Sequence, residues 1–253
     1  MNDKKIAFIG CGAMGSAIAS ALATKIDPQQ ILLSDTFAEK AEKLAETLGA
    51  NFIKCPIEAV KAADWVILCT KPQTVEEVLH MLSPVFAEAM QKNEPKVLCS
   101  ILAGVKLEKL ASLLAVHSQA ILRLMPNTPV LIGKGLGLLA ANDFLTAEEK
   151  DWFLDTFAPC GELHFLEESY SMQVLYLQVV PPLMCTSLLN ICPKVVWIWE
   201  FLPRCQSVLQ QMRYSVLRQW CYIAKNHREP YVIWLHPLVA PPLRVCACWK
   251  TET

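Results

Sequence analysis

The first 165 residues predict an α/β fold built on a doubly wound parallel sheet. Short apolar runs alternate along the chain with longer segments that are rich in helix-forming residues. The apolar runs are continuous rather than alternating with polar residues, which is typical of strands covered by helices on both faces. We therefore predict one domain over residues 1–165 and consider residues 166–253 separately.

The elements follow in order from the N-terminus. Residues 5–9 are a short apolar run that ends at a glycine, which predicts a buried strand. Residues 16–24 are rich in Ala, Ile and Leu and predict a helix. A second apolar run at 30–35 predicts the next strand. The helix predicted at 39–48 ends at Gly49, because glycine is the preferred residue just after a helix.

The same alternation continues. Residues 64–69 predict a third strand, which a Thr-Lys-Pro sequence ends before the helix at 75–90. Residues 96–101 predict a fourth strand, and residues 107–114 predict the helix after it. The last predicted strand is 120–123, just before a Met-Pro-Asn-Thr-Pro sequence.

A glycine-rich turn connects the first strand to the first helix. Residues 10–15 read Gly-Cys-Gly-Ala-Met-Gly. In such a turn, Gly10 permits the tight bend, Gly12 lets a pyrophosphate approach the backbone, and Gly15 lets the helix pack on the strand. The amides at the helix N-terminus then face the phosphates. The strand before and the helix after predict a dinucleotide-binding Rossmann domain.

Asp35 follows the second strand, near the acidic position that binds a ribose 2′-hydroxyl and favours NAD. It can equally be an ordinary surface residue, since Ser34 could occupy the same space. No arginine follows closely to bind a 2′-phosphate, and Lys40 is a poor substitute. The residues alone leave NAD and NADP open.

Composition argues against several other classes of protein. The net charge of −1 gives no electrostatic case for nucleic acid or an anionic membrane as a partner. The N-terminus carries no secretory signal pattern, and we expect a cytoplasmic protein. The eleven cysteines show no CxxC pair and no metal-ligand spacing, so we expect buried, reduced thiols and no metal site.

Four segments resemble the pyrroline-5-carboxylate reductase family. They are FIGCGAMG at 8–15, CTKPQ at 69–73, SILAGV at 100–105 and RLMPNTP at 123–129. The resemblance spans about residues 4–168. It implies an oxidoreductase that passes hydride from NAD(P)H to the C=N carbon of a cyclic imine and so makes proline. On family grounds NADP is somewhat preferred, and the family forms homo-oligomers.

The resemblance also implies where the cofactor lies. The glycine turn holds the pyrophosphate, the 70–72 segment borders the cofactor, and the Ala-Gly pair at 103–104 lies against the nicotinamide. Pro56 replaces a frequent family Asn near the adenosine ribose. We nominate no catalytic acid or base, and His80 is expected to be structural. The expected cofactor-binding residues are Gly10, Cys11, Gly12, Ala13, Met14, Gly15, Ser34, Asp35, Thr70, Lys71, Pro72, Ala103, Gly104 and Asn127, with Thr128 closing the site.

Residues 166–253 differ in composition from the rest. All nine glycines lie at or before Gly161, and no Asp follows Asp155, although both are common turn residues. This tail holds five of the seven Trp and six of the eleven Cys. The family has here a helical dimerisation domain that completes the imine site, but its GSxPAY and DMVxSPGGTT motifs are absent. We expect a poorly folded or irregularly helical tail of uncertain fold.

A shifted reading frame accounts for this tail. Codons can be chosen for residues 232–245 that read DMVASPGGTTIEG from the third base. The same shift turns residues 180–189 into SPAYVYVFI. Both are family motifs in family order. We therefore interpret the tail as an out-of-frame translation that begins near residues 166–172.

Other interpretations stay open. Residues 169–193 carry no charge and could cross a membrane, although two prolines interrupt them. The tail could also form a genuine helical core. In function, the domain could bind the nucleotide without catalysis. A related hydroxyacid dehydrogenase would need a catalytic lysine, which Lys194, Lys225 and Lys250 supply in no recognisable context.

Overall fold

The computed structural model describes residues 4–168, which fold into an eight-stranded sheet covered by helices on both faces. The strand order is β3-β2-β1-β4-β5-β6-β7-β8. The strands are β1 Ile6–Ile9, β2 Ile31–Ser34, β3 Asn51–Phe52, β4 Trp65–Leu68, β5 Val97–Ser100, β6 Ile121–Met125, β7 Gly135–Ala141 and β8 Gly161–Phe165.

Six helices form the outer layers. Buried side chains of α1, α2 and α6 pack in one apolar cluster on one face of the sheet, and those of α3, α4 and α5 pack in a second cluster on the other. Strands β1, β4 and β5 contribute alternate residues to the two clusters, as expected for buried parallel strands. The helices are α1 Ala13–Leu22, α2 Ala38–Leu48, α3 Pro56–Lys61, α4 Val75–Gln91, α5 Leu107–Leu114 and α6 Ala147–Phe157.

The predicted α/β fold is confirmed, and its five strands and four helices are all present. Helix α5 has the predicted bounds, and α2 ends at Gly49, whose φ of 71° is left-handed. The first helix was placed too late, at 16–24. Helix α1 begins at Ala13, because the residues of the glycine turn themselves form its first turn.

The five predicted strands pair in parallel, as expected, and the sheet continues through two strands that were not predicted. Strand β7 runs antiparallel to β6, and β8 then pairs parallel with β7. Both strands were missed, as were β3, α3 and α6. Strand β7 reads GLGLLAA, and its two glycines weaken the β-strand signal. Helix α6 did carry a signal, the capping box formed by Thr146 and Glu149.

The connections between strands reverse direction beside β1. From β1 the chain adds β2 and β3 on one side, and it then returns to add β4, β5 and β6 on the other. In open α/β sheets, ligands bind at such a switch point, in the crevice outside the carboxyl ends of the strands. The carboxyl ends of the neighbouring strands β1 and β4 meet at this point. The fold therefore brings the glycine turn and the CTKPQ segment together.

Within residues 4–168, no helix is long and apolar enough to cross a membrane. The possible spanning segment at 169–193 and the other expectations for the tail lie outside the described residues. The domain boundary at residue 165 also stays a prediction.

Candidate functional site

A cleft of about 290 Å³ opens where β1, β4, β5 and β6 end. Half of the fourteen predicted cofactor residues line it: Gly12, Ala13, Met14, Gly15, Thr70, Pro72 and Ala103. Four further residues that were not predicted also line the cleft: Cys69, Ile101, Leu102 and Pro126. These four belong to the same family-like segments, so adjacency in the sequence was the available signal.

The three glycines of the turn have different surroundings. Gly10 has a φ of +102°, and a Cβ there would lie 2.7 Å from the carbonyl oxygen of Cys69. A Cβ on Gly15 would lie 2.5 Å from the carbonyl oxygen of Gly10. A Cβ on Gly12 would meet nothing within 4 Å. Gly10 and Gly15 are therefore required by the fold, whereas Gly12 borders open space that a ligand can enter.

The N-terminus of α1 faces this space, and no side chain of the helix's own cap or first turn compensates its positive end. Gly12 is the N-cap residue and supplies no capping side chain, and the first turn contains no acidic residue. The first amides of a helix lack partners within the helix and favour an anion. At the switch point, next to an open glycine, this end of α1 is suited to hold a pyrophosphate.

Asp35 lies beside the same turn and is fixed by backbone amides. Its Oδ2 accepts a hydrogen bond from the Cys11 N–H at 2.5 Å, and its Oδ1 accepts one from the Phe37 N–H at 2.7 Å. The carboxylate therefore lies against the glycine turn, on the side of the second strand. Lys40 lies with its Nζ 5.0 Å from the ring centroid of Phe37.

Two buried polar atoms near the cleft have no hydrogen-bond partner among the described residues. One is the hydroxyl oxygen of Thr70, and the other is Nδ2 of Asn127. Oδ1 of Asn127 accepts a hydrogen bond from the Leu136 N–H at 2.8 Å, which fixes the orientation of the amide. Buried polar groups in folded proteins are nearly always paired. The two atoms can therefore form hydrogen bonds with a polar ligand in the cleft.

The thiols around the cleft are protonated at neutral pH. Burial, reinforced by the charge of Asp35, raises the pKa of Cys11 to about 12. Burial, with smaller contributions from Cys99 and Cys11, also raises the pKa of Cys69 well above its ordinary value. The five described cysteines are free. Because thiolates are the reactive form, Cys11 and Cys69 serve as small apolar residues rather than nucleophiles.

The other half of the predicted residues lies around the cleft rather than on its wall. Gly10 and Cys11 belong to the glycine turn, and Ser34 is buried at the end of β2, where its carbonyl accepts the Gly10 N–H at 2.8 Å. Lys71 and Gly104 are exposed beside lining residues. The remaining two, Asp35 and Asn127, have the contacts given above.

Most of this domain is similar in sequence to known oxidoreductases. The family model described as NADP oxidoreductase coenzyme F420-dependent matches residues 5–104. Pyrroline-5-carboxylate reductase from Escherichia coli (strain K12) is 33% identical over 168 residues, which are 66% of this chain and 60% of the relative. The enzyme of the same name from Pasteurella multocida is 34% identical over 181 residues, 69% of this chain and 62% of the relative.

The chain is similar to the pyrroline-5-carboxylate reductase family over about two thirds of its length, and these matches support that family. It spans about 60% of the length of the relatives it matches. The structure of the family member from Coxiella burnetii aligns with a TM-score of 0.63 at 19% identity, covering 90% of this chain and 82% of that one. A Plasmodium falciparum pyrroline carboxylate reductase with NADP bound aligns with a TM-score of 0.59 at 23% identity, covering 91% and 82%. These two likenesses confirm the fold.

Proposed function

We propose that residues 4–168 bind a nicotinamide cofactor and that the family's reaction, reduction of 1-pyrroline-5-carboxylate to proline, is the reaction this domain serves. The observation that carries the proposal is the open approach to Gly12. At the switch point, Gly12 and the N-terminus of α1 leave room for a pyrophosphate. The fold does not require a glycine there, because a Cβ on Gly12 would meet no other atom within 4 Å.

The residues of the cleft fit this cofactor along its length. The amides of the glycine turn hold the pyrophosphate, and Asp35 lies on the side where the adenosine ribose belongs. Thr70 and Ala103, on the opposite side of the turn, would border the nicotinamide. The unpaired Thr70 hydroxyl and Asn127 amide supply hydrogen bonds at that end.

The chemistry requires positioning more than proton transfer by the protein. When bound, the reduced cofactor supplies a hydride for the imine carbon, and the imine nitrogen takes a proton. The described residues would hold the ring flat against Ala103 and exclude water with Ile101, Leu102 and Pro126. Cys69, which also lines the cleft, stays a neutral thiol and takes no part in proton transfer.

We propose that NADH is preferred over NADPH, contrary to the family-based expectation. The Asp35 carboxylate would lie close to a 2′-phosphate and repel it, whereas it can accept a hydrogen bond from a 2′-hydroxyl. Among residues 4–168 the one arginine is Arg123, which is buried and paired with Glu168, so no guanidinium of this described part balances the charge.

The second candidate is a cofactor-binding protein without catalysis. It is favoured by the tail, where the family's imine-binding motifs are absent from the sequence as written. The out-of-frame interpretation predicts little turnover for this chain, because the substrate-binding and dimer-forming residues would be missing. Sequencing the gene or transcript across codons 160–180 decides that interpretation, and a continuous frame with the present tail would contradict it.

Two assays on the full chain separate the candidates. NADH fluorescence on mixing measures cofactor binding, and loss of NADH absorbance with 1-pyrroline-5-carboxylate measures turnover. Binding with turnover supports the reductase, and binding without turnover supports the second candidate. If neither NADH nor NADPH binds to the folded protein, the proposed function is wrong.

A further inference from the structure

An ion pair between a buried arginine and a partly exposed glutamate lies on the α5 side of the sheet. Arg123 is on β6 and is only 2% exposed. Its Nη1 contacts Oε1 of Glu168, and its Nη2 lies 3.9 Å from the sulfur of Met125. Removing the partner of a buried guanidinium strongly destabilises the folded protein, because it leaves a buried charge unpaired. Glu168, just beyond the predicted domain boundary, is therefore held in place by Arg123.

The same carboxylate oxygen binds the start of a helix. Oε1 of Glu168 also accepts a hydrogen bond from the N–H of Leu107, the first residue of α5, at 2.8 Å. This amide has no acceptor within the helix, and the N-cap residue Lys106 makes no side-chain cap bond. A carboxylate here also interacts favourably with the positive end of the helix. One side chain thus joins β6 to the first turn of α5.

A loop that borders the cleft leads into the first turn of α5. Residues 101–106 connect β5 to α5, and their upstream end is fixed by the Ile101 N–H, which donates to the Leu68 carbonyl at 3.1 Å. Leu102 and Val105 are buried, whereas Ala103 and Gly104 between them are exposed toward solvent. Gly104 has a left-handed φ of +78°, so the loop turns sharply there. Its downstream end is fixed by the bond between Leu107 and Glu168.

We propose that Glu168 is a positioning residue for the nicotinamide end of the cofactor, with Arg123 as its counter-ion. The carboxylate fixes the start of α5 and thereby the position of Ala103 in the cleft wall. This inference rests on the proposed function, because Ala103 matters in this way only if the nicotinamide lies against it. The adenosine end, held by the glycine turn and Asp35, does not depend on Glu168.

The test compares two ligands on the full chain. NADH reaches both ends of the cleft, whereas ADP-ribose has the pyrophosphate and adenosine but no nicotinamide. In Glu168→Gln we expect NADH to bind about tenfold more weakly, because a charge-assisted contact is lost, while ADP-ribose affinity changes less than about twofold. The matched control is Glu167→Gln, since Glu167 is the exposed neighbouring carboxylate. It should bind both ligands as the unaltered chain does.

A second variant covers the case in which Glu168→Gln fails to fold. The pair Arg123→Met with Glu168→Gln removes both charges and leaves no unpaired buried cation. It should fold and show the same selective loss of NADH affinity. Equal weakening of NADH and ADP-ribose would reduce Glu168 to a structural role and overturn the proposal, as would unchanged affinity for both.

Amide hydrogen exchange gives a readout that needs no cofactor. In Glu168→Gln, the amides of residues 103–107 should exchange faster than in the Glu167→Gln control. If the unaltered chain binds neither ligand, the proposed function fails, and Glu168 has no cofactor to position. Unchanged exchange across 103–107 would show separately that Glu168 does not fix this loop.

Discussion

Substitutions at Gly12 and Gly15 should have opposite effects, because the fold requires Gly15 whereas a bound cofactor requires Gly12. A Cβ at Gly12 meets nothing within 4 Å, and its φ of −69° suits any residue. Asp and Asn are both favoured at the N-cap position that Gly12 occupies, so Gly12→Asp and Gly12→Asn should match or slightly exceed the stability of the unaltered chain. A Cβ at Gly15, in contrast, lies 2.5 Å from the Gly10 carbonyl oxygen, so Gly15→Ala should cost about 1–3 kcal/mol of unfolding free energy.

The effect on cofactor binding should run the other way. A carboxylate at Gly12 would lie about 4 Å from the pyrophosphate, where two like charges repel by about 1–4 kcal/mol, depending on the dielectric constant. At about 3 kcal/mol, Gly12→Asp should bind NADH about a hundredfold more weakly. Gly12→Asn has the same size without the charge and should lose less affinity, so the ratio of the two isolates the electrostatic part.

The assay is a fluorescence titration with NADH, with urea unfolding of each variant in parallel. If Gly12→Asp binds NADH as tightly as the unaltered chain, no pyrophosphate lies at Gly12 and the assignment of the cleft is wrong. If Gly12→Asp unfolds as easily as Gly15→Ala, the space above Gly12 is not open.

Two further predictions concern charge and pH. Asp35→Asn removes the charge beside the ribose position, so the preference for NADH over NADPH should fall about tenfold in competitive titrations. The control is Asp151→Asn, which removes an exposed charge on α6 and should leave the preference unaltered. Burial raises the pKa of Cys160 from 9.0 to about 12. Above pH 9.0 the unfolded chain therefore loses this proton while the folded chain keeps it, so the contribution of Cys160 to stability should fall as the pH rises toward 12. Urea unfolding of Cys160→Ala should show a shallower alkaline decline, and an identical decline in both proteins would contradict this assignment.

The inner part of the sheet could be predicted from the sequence because its signals are local. Strands β1, β4 and β5 are continuous apolar runs, and each is followed by turn residues and then by a helical segment. The glycine turn was interpretable because its spacing reports a specific backbone geometry. The later strands β7 and β8 were not found, since their glycines carry no strand propensity and their pairing is set by distant residues.

The candidate site was predictable to the same extent. Gly12 was expected from the glycine turn, and Thr70 and Ala103 were expected from the family resemblance; all three line the cleft at one edge of the sheet. The ion pair of Arg123 and Glu168 was not predicted, because the two residues are far apart in sequence and nothing near either of them indicates the other. Contacts of this kind depend on how the edge strands fold back, which local patterns do not report.

The most direct test of the central claim is amide hydrogen exchange of the full chain with and without NADH. The account predicts that NADH slows exchange in three segments that are far apart in sequence but meet at the cleft, residues 10–16, 69–72 and 101–104. Protection in all three would place the cofactor at the glycine turn and across the ends of β4 and β5. No protection at saturating NADH, or protection confined to other parts of the domain, would contradict the assignment of this cleft.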